Sequence, residues 1–199
     1  MWIVIALLQS SLAFSVPRYY DIEMVVFSRP NLARSFESIE LSKLATTPIS
    51  RGLLVQKSMA LVDGLSLLPK SSFQLKNAAT KIRTKLGGRI LFHSRWMHPL
   101  KGTQASNPWY RITGKSHDKV ILDGYIKLSI DRYIEISTDL RLSYPQNINE
   151  NHTFFAFQLN EFRKFRSKDI QYFDHPAMGI IIKATKSEME IKSTNSYDE

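Results

Sequence analysis

The chain contains no cysteine. Thiol nucleophiles, thiolate metal sites and disulfides are therefore excluded. A lipid-acceptor cysteine behind the N-terminal apolar segment is excluded with them. There is no Gly-x-Ser-x-Gly elbow and no His-Glu-x-x-His pair, so two common hydrolase signatures are missing. The five histidines are His93, His98, His117, His152 and His175. No two of them stand four apart on a predicted helix, and no metal site is expected. Gly87-Gly88 follows a predicted helix, where a phosphate-binding loop would open one, so nucleotide binding is not expected either. Long apolar runs are also lacking. Residues 2–15 carry no charge, but they fall short of the roughly 20 residues a bilayer span needs.

What that segment fits is a secretory signal peptide. Ala13 and Ser15 put small residues at −3 and −1 before Val16, as signal peptidase requires. Residues 1–15 are read as the leader, 16–185 as one domain and 186–199 as a polar tail. A chain of 199 residues can bury one sizeable core. With 43% hydrophobic and 23% charged residues it is globular and not disordered. The net charge of +9 and pI near 9.7 call for an anionic partner. An exported protein does not meet DNA, so nucleic acid is not expected. Anionic wall polymers, membranes and acidic proteins are.

Residues 20–27 alternate: Tyr20, Ile22, Met24 and Val26 on one face, Asp21 and Glu23 on the other. This predicts a first strand. Residues 28–70, punctuated by Pro30, Pro48 and Pro69, read as a loop with short helical turns around 31–45. Leu75, Ala78, Ala79, Ile82 and Leu86 form one stripe of a helix over 72–86, stopped by Gly87-Gly88. Residues 89–97 predict a strand with Ile90, Phe92 and Trp96 on one face, and 101–119 a loop carrying Trp109. From Tyr125 to Tyr144 the even positions are apolar, except Arg132 and Thr138, and the odd positions are mostly polar. One face is buried and one is wet, as in an antiparallel sheet covered on a single side. Twenty extended residues would span roughly 66 Å, too long for a domain only about 40 Å across. The run must turn near Asp131-Arg132. A two-residue hairpin would flip the parity, so an odd-length loop between strands 120–130 and 134–144 is predicted, or a bulge. Residues 154–166 form a further strand whose apolar phase slips between Leu159 and Phe162, another bulge candidate. The last strand, 170–184, is interrupted at Pro176. The fold class is α+β: an antiparallel sheet of five or six strands with one main helix closing its apolar face.

Few residues point to catalysis. Asp174 and His175 are sequence neighbours and point to opposite faces of a strand. With Pro176 lacking an N–H and biasing His175 to extended backbone, they read as a strand interruption. Asp131, Glu135 and Asp139 share one strand face, which is the pattern of a solvated surface more than of a glycosidase pair. The stretch Phe162-Arg163-Lys164-Phe165-Arg166 offers stacking and charge to an anionic polymer. Its bland alternative is an edge strand defended by charge.

Several blocks occur together in order. They are residues 19–29 after the leader, Leu91-Phe92-His93-Ser94-Arg95-Trp96, residues 122–128, Arg132-Tyr133-Ile134-Glu135-Ile136, and Tyr172-Phe173-Asp174-His175-Pro176-Ala177-Met178-Gly179. Together they resemble the CsiV family of periplasmic peptidoglycan-binding proteins. The resemblance implies a non-enzymatic periplasmic protein without cofactor. Its implied partners are peptidoglycan, a class A penicillin-binding protein and that enzyme's outer-membrane lipoprotein activator, in support of wall synthesis, cell shape and division. Peptidoglycan presents stem-peptide carboxylates and a sugar face, which arginine forks and flat aromatics suit. The expected ligand contacts are Arg163, Arg166, Tyr172, Asp174, His175 and Trp96. The alternatives are a periplasmic adaptor that never touches glycan, a wall hydrolase, and a protein bound to the membrane surface by its charge.

Overall fold

The computed structural model describes residues 18–30, 39–40, 52–54, 65–117, 119–148 and 151–188. The expected leader, most of the 31–45 segment and the tail beyond 188 lie outside them. Among the described residues there are eleven strands and one α-helix. The first strand, β1 (Arg18–Ser28), is central. It pairs on one side with β5 (Arg89–Leu100) and on the other with β11 (Met178–Lys186), both antiparallel. β10 (Ile170–Asp174) and β4 (Ser66–Leu67) complete a five-stranded sheet in the order β10-β11-β1-β5-β4. The second sheet has six strands, ordered β2 (Ile39–Glu40), β9 (Asn151–Phe165), β8 (Ile134–Ile148), β7 (Ile121–Ile130), β6 (Trp109–Lys115) and β3 (Gly52–Leu54). All of its pairings are antiparallel except β3 on β6.

A single sheet of five or six strands is thus corrected to two sheets. Ile22, Met24, Phe92, Trp96, Ile180 and Ile182 of the first sheet meet Ile112, Leu122, Ile126, Leu128, Ile136, Leu140 and Phe157 of the second in one core. A ten-residue helix cannot cover that much apolar surface. The helix α1 (Lys76–Lys85) instead packs on the outer face of the first sheet. There Leu75, Ala79 and Ile82 meet Val25 and Phe27 in a separate small cluster. β1 is buried on both faces for this reason, and three layers result: helix, sheet, sheet. No helix among the described residues is long and apolar enough to cross a membrane.

One local expectation holds in the structure and three do not. The β7–β8 loop is Asp131-Arg132-Tyr133, three residues, with Ile130 opposite Ile134. The odd length keeps the parity, as reasoned. Ile90 does not share a face with Phe92. Phe27 pairs with Ile90 and Val26 with Phe92, so Leu91 is an extra residue in a bulge that turns Ile90 toward the helix. The expected loop over 101–119 contains a strand, β6, which brings Tyr110 and Ile112 into the core. Its Gly114 lies so close to β5 that a Cβ there would stand 2.0 Å from the Leu91 carbonyl oxygen. Finally, no bulge separates Leu159 from Phe162. The β8–β9 register runs unbroken from Leu140 opposite Leu159 to Ile134 opposite Phe165, so Phe162 faces outward, half exposed.

Candidate functional site

The β10–β11 hairpin reverses the chain at His175-Pro176-Ala177. Asp174 stands opposite Gly179, and the His175 N–H donates to the Met178 carbonyl at 3.1 Å. Arg29, just past the end of β1, ties this turn down. Its own N–H donates to the Ala177 carbonyl at 2.8 Å. Its guanidinium donates to the His175 carbonyl at 3.1 Å, to the Tyr172 hydroxyl at 2.7 Å and to the Asp174 carboxylate. The Tyr172 hydroxyl in turn donates to Asp174 at 2.9 Å. That donation first, and the Arg29 charge after it, hold the Asp174 carboxyl below the usual carboxylate range. Desolvation, and then the hydrogen bond to Asp174, push the Tyr172 hydroxyl up.

This geometry does not build an acid–base dyad. In such a dyad the carboxylate accepts a proton from imidazole Nδ1. Here His175 Nδ1 itself accepts from the Ala177 N–H at 3.2 Å, and the ring sits edge-on to Phe157, centroids 5.9 Å apart. The Asp174 carboxylate is held by Tyr172 and Arg29. Gly179 has its own structural reason: a Cβ there would lie 2.3 Å from the Phe27 ring.

The basic–aromatic stretch lies on β9. Beyond its two-residue pairing with β2 at Phe155 and Ala156, that strand has no second neighbour among the described residues. Strand alternation divides the stretch between two faces. Arg163 turns toward the first sheet, lies 5.0 Å above the Phe173 ring and pairs with Glu161 at 2.8 Å. Phe165 is buried. Phe162 and Lys164 face outward, with the Lys164 ammonium 5.6 Å from the Phe162 ring and 2.7 Å from the Glu135 carboxylate. That lysine, and then the Ser129 hydroxyl, keep the Glu135 carboxyl low against a modest desolvation. Arg166 reaches the Tyr133 ring at 5.9 Å.

Of the six expected contacts, Tyr172 and Asp174 are therefore brought together on the helix side of the β10 edge. Arg163 and His175 line the seam between the two sheets, and Arg166 stands at the end of β9. Trp96 is corrected: it is 1% exposed, and its indole N–H donates to His98 Nδ1 at 3.0 Å inside the core. No face of that ring is open to a polymer. The supposedly wet face of β7 and β8 is also partly covered. Ser129, Asp139 and Ser143 are buried, and Gln158 donates to Asp139 at 2.8 Å. No three His, Asp or Glu side chains among the described residues converge as a metal site would require.

Two organising residues were not singled out from the sequence. Arg29 is one; nothing in its neighbourhood marks it. Glu23 is the other, and its signal was a carboxylate inside an apolar strand. It is 2% exposed and accepts from the Gln74 and Leu75 N–H groups at 2.6 and 2.9 Å, and from His93 Nε2 at 2.9 Å. Burial opposes its ionisation, but these three donors outweigh burial and hold its carboxyl low. It supplies the N-terminal cap that α1 lacks in its own sequence.

What the arrangement offers is a rigid double sheet with arginines, lysines and a few half-exposed rings along neighbouring strand edges. No curated protein and no solved structure matches the chain. The family model described as "Peptidoglycan-binding protein, CsiV" matches residues 1–187. The chain belongs to the CsiV family of peptidoglycan-binding proteins.

Proposed function

We propose that the protein binds peptidoglycan in the periplasm without catalysing any reaction on it. We propose further that it supports wall synthesis by assisting a class A penicillin-binding protein and its outer-membrane lipoprotein activator. The observation that carries the first part is family membership across residues 1–187. The +9 charge supports it, because the stem peptides of the wall are anionic. Arg166, Tyr172 and Phe162, exposed near the β9 and β10 edges, and Arg163, partly exposed in the seam between the sheets, are the side chains we assign to stacking and carboxylate contact. A surface arginine–carboxylate contact contributes only about 0–1 kcal/mol, so affinity comes from several contacts repeated along a polymer. The role beside the synthase and its activator rests on the family resemblance alone.

Sedimentation of the purified protein with isolated sacculi, over a series of salt concentrations, tests this. Co-sedimentation that weakens with salt is expected, with no release of soluble muropeptides. A protein that stays in the supernatant until the synthase or its activator is added would replace this reading with that of an adaptor. Muropeptide release would replace it with that of a hydrolase.

A further inference from the structure

The helix side of the first sheet carries a cavity of about 930 Å³, at the other end of β11 from the hairpin turn. Antiparallel register builds it. Asp21 stands opposite Thr185 and Glu23 opposite Lys183, so alternate side chains of β1 and β11 project to the same face. The segment leading into α1 forms the opposite wall, with Arg95 from β5 between them. The turn between β9 and β10 closes one side. Its Lys168 is pinned over β11 by its own N–H, which donates to the Ala184 carbonyl at 2.7 Å.

The charges of this cavity do not cancel. Arg95 is committed, to Asp21 at 2.9 Å and to the Ser72 carbonyl. Lys168 and Lys183 line the cavity and have no ion-pair partner among the described residues; Lys186 borders it but stands opposite Tyr20, so its side chain leaves from the other face of β11. Glu188 is the one other carboxylate on its walls. Two polar atoms of lining residues, Asp21 Oδ1 and Ser187 Oγ, are buried and have no hydrogen-bond partner among the described residues. None of the lining residues is aromatic. Lys168 adopts φ 76°, the left-handed region that disfavours a non-glycine side chain.

We infer that this cavity receives a carboxylate-bearing peptide, and that in the wall polymer it takes the stem peptide and not the sugar chain. This rests on the peptidoglycan-binding reading. Two uncommitted ammonium groups suit the carboxylates of such a peptide. The volume lies at the upper end of the roughly 300–1,000 Å³ of small-ligand sites, which fits a short peptide better than a single ion. A sugar face would call for a flat ring, and the lining supplies none.

Co-sedimentation with the purified full chain decides it. The probes are whole sacculi, sacculi whose carboxylates have been amidated, and, as a soluble competitor, glycan strands freed of peptide by an amidase. The variant is Lys168→Gln with Lys183→Gln. The wild type is expected to bind whole sacculi, to lose about fivefold in affinity on the amidated ones, as two weak ion pairs would give, and not to be displaced by the bare glycan strands. The double variant should show that same loss on whole sacculi and no further loss on amidated ones, because the two changes remove one interaction. A wild type that binds whole sacculi while the double variant binds them equally well overturns the site and leaves the family reading standing. So does an amidation effect that persists at full size in the double variant. A wild type that ignores sacculi overturns both. Lys168→Gly is the control for folding: it removes one ammonium and relieves the left-handed backbone, so weaker binding at an unchanged or higher melting temperature reports on the site itself.

Discussion

His98 makes the fold sensitive to mild acid. The imidazole is fully buried, and its ring stands edge-on to Tyr110 with centroids 4.6 Å apart. Nδ1 accepts the Trp96 indole N–H, so the proton of the neutral ring sits on Nε2, which has no hydrogen-bond partner among the described residues. Desolvation alone pushes the pKa down from 6.5 to about 3. The sign follows from which state takes the proton. Below pH 6.5 the unfolded chain protonates this histidine and the folded chain does not. Stability is therefore complete above pH 6.5 and falls as the pH drops toward 3, by about 1.4 kcal/mol per pH unit. Between pH 7.5 and 4.5 the loss amounts to roughly 2–3 kcal/mol, a large share of the roughly 5–15 kcal/mol that holds a domain together. Glu23, Glu135 and Asp174 have lowered pKa values and weaken the fold only at lower pH, as the carboxyls of the unfolded chain protonate below about 4.5. Urea denaturation of wild type and His98→Gln at steps from pH 7.5 to 4.5 isolates the effect. Glutamine keeps an acceptor for Trp96 and cannot titrate. The variant starts less stable, and the gap should close by roughly 2–3 kcal/mol across that range. Two pH curves that run parallel would refute the reasoning.

Two other substitutions test the frame around the candidate surfaces. Glu23→Ala leaves the Gln74 and Leu75 N–H groups without their acceptor and should cost about 2–4 kcal/mol; faster amide hydrogen exchange in α1 than in the distant β7–β8 pair is the measurement, and uniform exchange across both would count against the cap. Gly179→Ala forces a methyl group against the Phe27 ring and should cost about 1–3 kcal/mol in thermal unfolding, whereas an unchanged melting temperature would show that the ring can move aside.

Much of this fold was legible because alternation marks a face directly. The even positions of 126–142 are inward without exception once Arg132 falls in the loop, and Thr138, the other breach, is buried beside the Glu161 backbone at 3.2–3.3 Å. What covers a face is not written in that strand. Only the area to be covered could have pointed to the second sheet, since Leu75, Ala79 and Ile82 are too few to cover two apolar sheet faces. Ile90 and Phe162 show the opposite failures. In the first case a bulge at Leu91 changes the phase where the residues look regular, and in the second the pairing continues where they look irregular. Both outcomes are fixed by the partner strand, which a single segment does not contain. β6 was missed because Tyr110 and Ile112 supply only two inward positions before Gly114, and the reason for that glycine is the β5 backbone.

The same distinction applies to the charges. Arg163, Lys164 and Arg166 stand out in the sequence because they are adjacent, yet Arg163 is engaged by Glu161 and Phe173, and Lys164 by Glu135. Lys168 and Lys183 stand apart in the sequence, and only the β1–β11 register and the β9–β10 turn bring them to one cavity. Proximity in sequence selects charges that neighbours on the same strand pair can neutralise. Proximity across strands selected two that no carboxylate meets among the described residues, at a position where one of them holds a left-handed backbone. A cation whose charge is already compensated within the fold gains little from an incoming carboxylate, since binding must first displace the existing partner. An uncompensated cluster both gains the contact and loses its mutual repulsion. On that ground the lysines of the cavity, more than the arginines of the β9 edge, should set how strongly binding to the wall depends on its carboxylates.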